Sequence, residues 1–216
     1  MSMRRRHGET LEHELFPSTW IVVLIKAFDT AKSRLAPALT PSGRRSLAEA
    51  NASHALRAAL DVATTIAVCG SAEATALAQR MGARVVMEVV PSGQNAAAAL
   101  GLAKVVAGGG TAALLLSSDL PLVNPWALQR LLKRATPEPG ALAMAVPALG
   151  RRGTNALFLR PLGDFELQFG DASLLRFAEE ARHRRRSFVI HNEMSLSLDL
   201  DEPEDLAVWA QLRKTA

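Results

Sequence analysis

Trp20-Ile-Val-Val-Leu-Ile25 is a continuously apolar run near the start of the chain, and it decides the fold class. A run of this length and composition is typical of a strand that is buried on both faces of a parallel sheet. Four similar runs follow, and a stretch of helical pattern separates each run from the next: 65–69, 84–87, 112–116 and 141–146. This alternation predicts a Rossmann-like α/β fold with a mostly parallel central sheet and helices on both faces.

The last third of the chain departs from this alternation. Residues 155–159, 187–191 and 195–198 are strand-like, but only one helical stretch, 173–183, lies among them. We therefore expect an antiparallel part beside the parallel strands, which makes the sheet mixed. A final helix begins at Pro203, with acids near its positive end. We expect residues 1–18 to be a flexible N-terminal tail and residues 19–216 to form a single domain.

Composition limits the functions that the chain can have. Its 216 residues, 49% of them hydrophobic and 21% charged, suffice for one substantial core. The 25 Lys and Arg residues exceed the 21 Asp and Glu residues by only four, so the net charge does not indicate a nucleic-acid partner. Cys69 is the one cysteine and no zinc-site spacing is present, which favours a reduced, cytoplasmic setting. The apolar runs are too short to cross a membrane.

Three aspartates follow predicted strands, at the sheet edge where open α/β sheets bind ligands. Asp119 comes directly after the fourth apolar run, whereas Asp199 and Asp201 follow the last one and point to the same face if the chain is extended there. Side-by-side carboxylates favour a hard cation such as Mg²⁺. The alternatives are an Asx turn for Asp119 and a helix cap for Asp201.

The loop after the first strand contains three cations, Lys26, Lys32 and Arg34, but it has no glycine-rich phosphate-binding motif. Phosphate recognition there would depend on side chains, and the alternative is an ordinary solvated loop. Gly93 and Asn95 lead into an alanine-rich helix, so they are candidates for binding a base, although Asn95 could be a simple N-cap.

A further segment is a candidate anion site. Arg151-Arg-Gly-Thr-Asn155 and Phe169-Gly-Asp-Ala-Ser173 offer hydroxyls, glycines and backbone N–H groups at the start of a helix. The alternative is a turn with Ser173 as the N-cap.

Three motifs in series carry a resemblance to a known family: Lys32-Ser-Arg-Leu35, Gly153-Thr-Asn-Ala-Leu157 and Leu198-Asp-Leu-Asp-Glu-Pro-Glu-Asp-Leu206. Together they resemble the guanylyltransferases of coenzyme F-420 biosynthesis. The resemblance implies a GT-A-type nucleotidyltransferase fold. It also implies transfer of GMP from GTP, with Mg²⁺, to 2-phospho-L-lactate, phosphoenolpyruvate or 3-phospho-D-glycerate, with release of pyrophosphate.

The resemblance assigns roles position by position. The metal carboxylates are Asp119, Asp199 and Asp201. The acceptor contacts are Thr154, Gly170 and Ser173. Lys26 lies with the reacting phosphates, Lys32 and Arg34 neutralise the triphosphate, and Gly93, Asn95 and Ser118 lie near the guanosine. The family also implies hand-off of the product to the downstream deazaflavin transferase, and it leaves room for a homodimer.

The chain departs from the family pattern around the acceptor segment. Arg151 and Arg152 stand where relatives tend to have a glycine run, and Asp171 lies beside the expected anion pocket. Asp171 either points outward or binds a hydroxyl of a glycerate-type acceptor, and the arginines could contact a displaced phosphate. Two rival functions remain at this point: another nucleotidyltransferase of the same fold, of the nucleotide-sugar or molybdenum-cofactor type, and a non-catalytic nucleotide-binding module.

Overall fold

A seven-stranded sheet forms the centre of the molecule. The computed structural model describes residues 16, 18–90 and 92–215. The strands are β1 Thr19–Ile25, β2 Thr65–Cys69, β3 Arg84–Met87, β4 Ala112–Ser117, β5 Leu142–Pro147, β6 Thr154–Arg160 and β7 Ser187–Ile190. The helices are α1 Pro41–Leu60, α2 Ala72–Arg80, α3 Gln94–Ala107, α4 Pro125–Ala135, α5 Ser173–His183, α6 Met194–Ser197 and α7 Pro203–Thr215, and a 3₁₀ turn covers Ser33–Leu35.

The strand order is β3-β2-β1-β4-β6-β5-β7. The pairs β1–β2, β1–β4, β2–β3 and β5–β7 are parallel, whereas β6 runs antiparallel to both β4 and β5. The prediction of a mixed, mostly parallel sheet is therefore confirmed. The antiparallel strand follows β5 directly in the chain, where the sequence lost its strand–helix alternation.

Both faces of the sheet are covered by helices, as the sequence predicted. Alternate residues of β1 divide between two hydrophobic clusters, Ile21 and Val23 in one and Val22 and Leu24 in the other. Helix α3 packs very closely on the second face, because a Cβ atom at Gly101 would lie 2.4 Å from Cγ1 of Val22. The alanine-rich sequence of α3 therefore serves close packing.

One predicted strand is wrong. Residues 195–198 were expected to be extended, but Met194–Ser197 forms one turn of helix, in which Ser197 N–H donates to the carbonyl of Glu193. The side-chain amide of Asn155 donates to the carbonyls of Leu196 and Ser197. Since a side chain satisfies these carbonyls, the segment needs no partner strand. Asp199 follows shortly after this turn of helix in the chain.

The prediction for residues 1–18 falls almost entirely outside the described residues. Phe16 is described, and its side chain packs against the first hydrophobic cluster. No helix in the described part of the chain is long and apolar enough to span a membrane.

Candidate functional site

A cleft of about 1040 Å³ opens at the edge of the sheet where β1 and β4 end. Ten of the twelve site residues predicted from the sequence line it: Lys26, Lys32, Arg34, Gly93, Ser118, Asp119, Thr154, Gly170, Asp199 and Asp201. The other two, Asn95 and Ser173, do not line it, but Ser173 hydrogen-bonds to Thr154, which does, and Asn95 hydrogen-bonds to Phe169, the neighbour of Gly170. The fold thus gathers these residues from six separate parts of the chain.

The centre of the cleft is an ion-pair group formed by Lys32. Its Nζ lies 2.8 Å from Oδ1 of Asp119 and 3.4 Å from Oδ1 of Asp201. The Lys32 side chain is fully buried, so two carboxylates on different elements share one desolvated cation. Lys32 also has a left-handed backbone conformation, with φ 61° and ψ 28°. Such strain in a non-glycine residue is characteristic of functional sites.

The third carboxylate faces a different cation. Oδ2 of Asp199 lies 2.8 Å from Nη1 of Arg151, and Oδ1 lies 3.4 Å from the Asn155 amide nitrogen. Burial raises the pKa of Asp199 above its ordinary value, and the nearby Arg151 charge opposes that rise. Arg151 also pairs through Nη2 with Asp205.

Asp205 organises the start of α7. Its Oδ2 accepts hydrogen bonds from the backbone N–H groups of Asp201 and Glu202, at 2.8 and 2.7 Å. A side chain from the third helical position thus satisfies the helix start, whereas the Asp201 carboxylate contacts Lys32. The alternative interpretation of Asp201 as a side-chain cap is therefore wrong.

The carboxylates of this cleft fit a hard divalent cation in their donor chemistry, since every donor atom is a carboxylate oxygen. Four carboxylates, those of Asp119, Asp199, Asp201 and Asp205, face the two cations Lys32 and Arg151, which leaves a formal charge of −2. Asp119 and Asp201 already converge on one positive charge. Within residues 16, 18–90 and 92–215, however, no three His, Cys, Asp or Glu side chains are assembled as a ready metal cluster. Asp199 differs from Asp119 and Asp201 in its cation, since it pairs with Arg151 and they pair with Lys32.

The expected acceptor pocket lies at the start of α5. The hydroxyls of Ser173 and Thr154 are 3.0 Å apart and both side chains are buried. Ser173 is the first helical residue, and Ala172 precedes it in a left-handed conformation without a side-chain cap, so the interpretation of Ser173 as the N-cap is wrong. Gly170 has φ 123°, a value that residues with a Cβ rarely adopt.

The expected guanosine side of the cleft joins this pocket through Asn95. The Phe169 N–H donates to Oδ1 of Asn95 at 2.7 Å, and Asn95 Nδ2 lies 3.4 Å from the Phe169 carbonyl. Asn95 is inside α3 and Gly93 is the N-cap, so the simple N-cap interpretation is wrong. The amide of Asn95 thus ties the start of α3 to the loop before α5, while Ser118 lies buried at the end of β4.

Residues 19–209 match the family model described as "Guanylyl transferase CofC like". The chain belongs to this family. It is 31% identical over 198 residues to the phosphoenolpyruvate guanylyltransferase of Conexibacter woesei, covering 90% of this chain and 88% of that one. It is 30% identical over 191 residues to the 2-phospho-L-lactate guanylyltransferase of Methanothermobacter thermautotrophicus, covering 87% and 82%. It is 35% identical over 181 residues to the 3-phospho-D-glycerate guanylyltransferase of Phenylobacterium zucineum, covering 81% and 82%.

The fold has a solved counterpart in a nucleotidyl transferase from Methanothermobacter thermautotrophicus, with a TM-score of 0.63 and 18% identity. The match covers 92% of this chain and 99% of that one. The chain is therefore an α/β nucleotidyltransferase of the guanylyltransferase family, which removes the alternative of a non-catalytic module.

The positions at which this chain departs from the family pattern carry charge pairs. Arg152 and Asp171 form a 2.7 Å ion pair at the rim of the cleft, and both side chains are highly exposed. Asp171 thus faces Arg152, which is the outward orientation considered from the sequence. Arg34 lies 3.7 Å from Glu202, also at the rim.

Sequence reasoning missed three residues of the site: Arg151 as the partner of Asp199, Asp205 as the residue that holds the α7 start, and Asn155 as the amide beside Asp199. Asn155 and Asp205 lie inside motifs that the sequence analysis singled out. Their contacts could not be predicted from the sequence, because these contacts depend on how β6 packs against α6 and α7.

Proposed function

We propose that this chain transfers GMP from GTP to a phosphorylated three-carbon acid and releases pyrophosphate, as a step in coenzyme F-420 biosynthesis. The acceptor is 3-phospho-D-glycerate, phosphoenolpyruvate or 2-phospho-L-lactate, the acids named in its relatives. The observation that carries the proposal is the Asp119–Lys32–Asp201 group, which lines the same cleft as Thr154, the hydrogen-bond partner of Ser173. Location in the cytoplasm, hand-off to a downstream enzyme and homodimer formation stay predictions.

The chemistry is in-line attack by a phosphate oxygen of the acceptor on the α-phosphorus of GTP. The attacking oxygen is already ionised at neutral pH, so no general base is required. The main obstacle is repulsion between two anions, and cations that hold both reactants in line lower it. Lys26, exposed at the end of β1, and Arg34, at the rim, line the cleft and would contact the phosphates.

Asp119, Asp199 and Asp201 would hold Mg²⁺. When bound, Mg²⁺ supplies charge neutralisation at the reacting phosphates and at the pyrophosphate that leaves. Lys32 holds Asp119 and Asp201 together, so the two carboxylates stay within reach of one cation. Thr154, Gly170 and Ser173 would bind the phosphate or carboxylate of the acid at the N-terminus of α5.

The test is pyrophosphate release from each of the four nucleoside triphosphates against each of the three acids, in Mg²⁺ and then in EDTA. We expect release only with GTP, only with an acid and only in Mg²⁺. Asp201→Asn should abolish release, whereas Asp61→Asn, an exposed aspartate at the end of α1, is the matched control and should leave it unchanged. No release with GTP and any of the three acids would overturn the proposal.

A further inference from the structure

We propose that Arg151 is a built-in counter-cation of the metal site, which holds Asp199 in the free protein and is displaced from it when a divalent cation binds. The inference rests on the proposed function in one respect: it takes Asp199 as a carboxylate of the metal site. Arg151 is added as a residue that sets the affinity of that site for a divalent cation.

The first support is the way in which Arg151 is held. Its two terminal nitrogens contact carboxylates at both ends of one acidic segment, Asp199 and Asp205. Both carboxylates have little exposure, 10% and 14% of the side chain, so the pairs are screened by water much less than surface pairs. Guanidinium forks of this kind form the stronger class of charge-assisted hydrogen bonds.

The second support is that Arg151 and a metal ion compete for the same atoms. Arg151 engages Oδ2 of Asp199 and Asn155 lies against Oδ1, so both oxygens of this carboxylate are engaged. Lys32, in contrast, contacts only Oδ1 of Asp119 and Oδ1 of Asp201 in the pairs it forms. The guanidinium charge at contact distance opposes a second cation at Asp199, so a cation that joins Asp199 to the other two carboxylates binds more weakly while Arg151 stays in place. No ready cluster of three such metal ligands is present among the described residues.

The third support is that Arg151 can leave without disturbing the segment it holds. It sits on the tight turn between β5 and β6, where its N–H donates to the carbonyl of Ala148, and its side chain is 24% exposed and lines the cleft. Asp205 also accepts two backbone hydrogen bonds, from Asp201 and Glu202, and neither involves the guanidinium. Rotation of one side chain therefore frees Asp199.

The experiment is Mn²⁺ titration of the protein without nucleotide, with free Mn²⁺ measured by electron paramagnetic resonance. We expect Arg151→Gln to bind Mn²⁺ about tenfold more tightly than wild type, the size expected when one charge-assisted contact no longer has to be broken. Arg152→Gln is the matched control, since Arg152 is the next residue and pairs with exposed Asp171; its affinity should stay within about twofold. Adding Asp199→Asn to Arg151→Gln should remove the gain.

A merely structural role for Arg151 makes the opposite prediction, because damage to the site weakens metal binding. Unchanged or weaker Mn²⁺ binding by Arg151→Gln overturns the inference, and so does an absence of Mn²⁺ binding in every variant. If Arg151→Gln does not fold, Arg151→Lys replaces it; it keeps the charge but loses the fork, and we expect a smaller gain of the same sign. Pyrophosphate release is measured separately on the same proteins, so tighter Mn²⁺ binding without GMP transfer would leave the inference standing and overturn only the proposed function.

Discussion

Lys32 and Asp119 form the most deeply buried ion pair of the cleft, with Nζ 2.8 Å from Oδ1 and no solvent contact for the lysine side chain. Asp201 shares the same ammonium group at 3.4 Å. The pair joins the loop after β1 to the loop after β4, which are the two neighbouring parallel strands at the centre of the sheet. A buried charge of this kind is stable only because both partners are present.

Replacement of Lys32 should damage both stability and activity. In Lys32→Met two carboxylates face each other without their shared cation, so we expect the free energy of unfolding in EDTA to fall by about 3 kcal/mol. Urea unfolding measures this change. Mg²⁺ should restore part of the loss, because a divalent cation can replace the missing charge. Equal stability of Lys32→Met and wild type in EDTA would contradict this prediction, because it would show that the ion pair makes no net contribution to stability.

Asn155 should be a positioning residue for Asp199. Asn155→Ala removes the amide that lies against Asp199 and satisfies the carbonyls of Leu196 and Ser197. We expect a loss of about 1–3 kcal/mol in stability, the penalty for unsatisfied buried groups, and at least a tenfold fall in kcat.

The matched control for Asn155 is Asn124→Ala. Asn124 caps α4 by accepting from the Ala127 N–H, and its loss should cost about 1 kcal/mol while kcat stays unchanged. Equal kcat values for the two variants would remove the positioning role of Asn155.

Ser173 should affect the acceptor more than the nucleotide. Its hydroxyl lies 3.0 Å from that of Thr154, and neither carries charge. We expect Ser173→Ala to raise the KM for the phosphorylated acid about tenfold and to leave the KM for GTP within about twofold. Steady-state kinetics with one substrate varied at a time gives the two KM values separately. A change confined to the KM for GTP would assign this pocket to the nucleotide.

Glu180 should make stability depend on pH. Its burial acts to raise its pKa, but hydrogen bonds from the Glu166 N–H and from Arg184 outweigh burial, and the pKa is lowered below its ordinary value. A carboxyl with a lowered pKa in the folded state stabilises the protein above its unfolded pKa, and that stability is lost as the pH falls through the folded pKa. Glu180→Gln should therefore be less stable than wild type at pH 7, and the difference should shrink below about pH 4. A pH-independent difference in urea unfolding would contradict this account.

The sequence was informative wherever one short stretch determined its own structure. The sequence predicted the seven strands of the sheet, and the runs at β1, β2, β4, β5 and β6 are buried along almost their whole length, whereas the edge strands β3 and β7 are only partly buried. The turn of helix at Met194–Ser197 was missed, since its carbonyls depend on the side chain of Asn155, some forty residues earlier in the chain.

The candidate site also has a part that local sequence predicts and a part that it does not. Asp119 could be placed in the cleft from the sequence because it follows a buried strand, β4, whereas Asp199 and Asp201 reach the same cleft after a turn of helix and not after the strand that the sequence predicted. The cations that pair with these carboxylates could not be predicted from local sequence. Lys32 lies 169 residues from Asp201, and Arg151 lies 48 residues from Asp199. Ion pairs over such separations follow from strand order and loop shape, which a local pattern does not contain.

³¹P NMR of the reaction mixture shows whether the cleft joins GMP to a phosphorylated acid. With GTP, Mg²⁺ and one of the three acids, we predict a new pair of coupled phosphoanhydride resonances from the guanylylated acid, together with pyrophosphate. Asp201→Asn should give neither signal. A spectrum in which GTP stays intact with all three acids, while the protein is folded and binds GTP, would contradict the account.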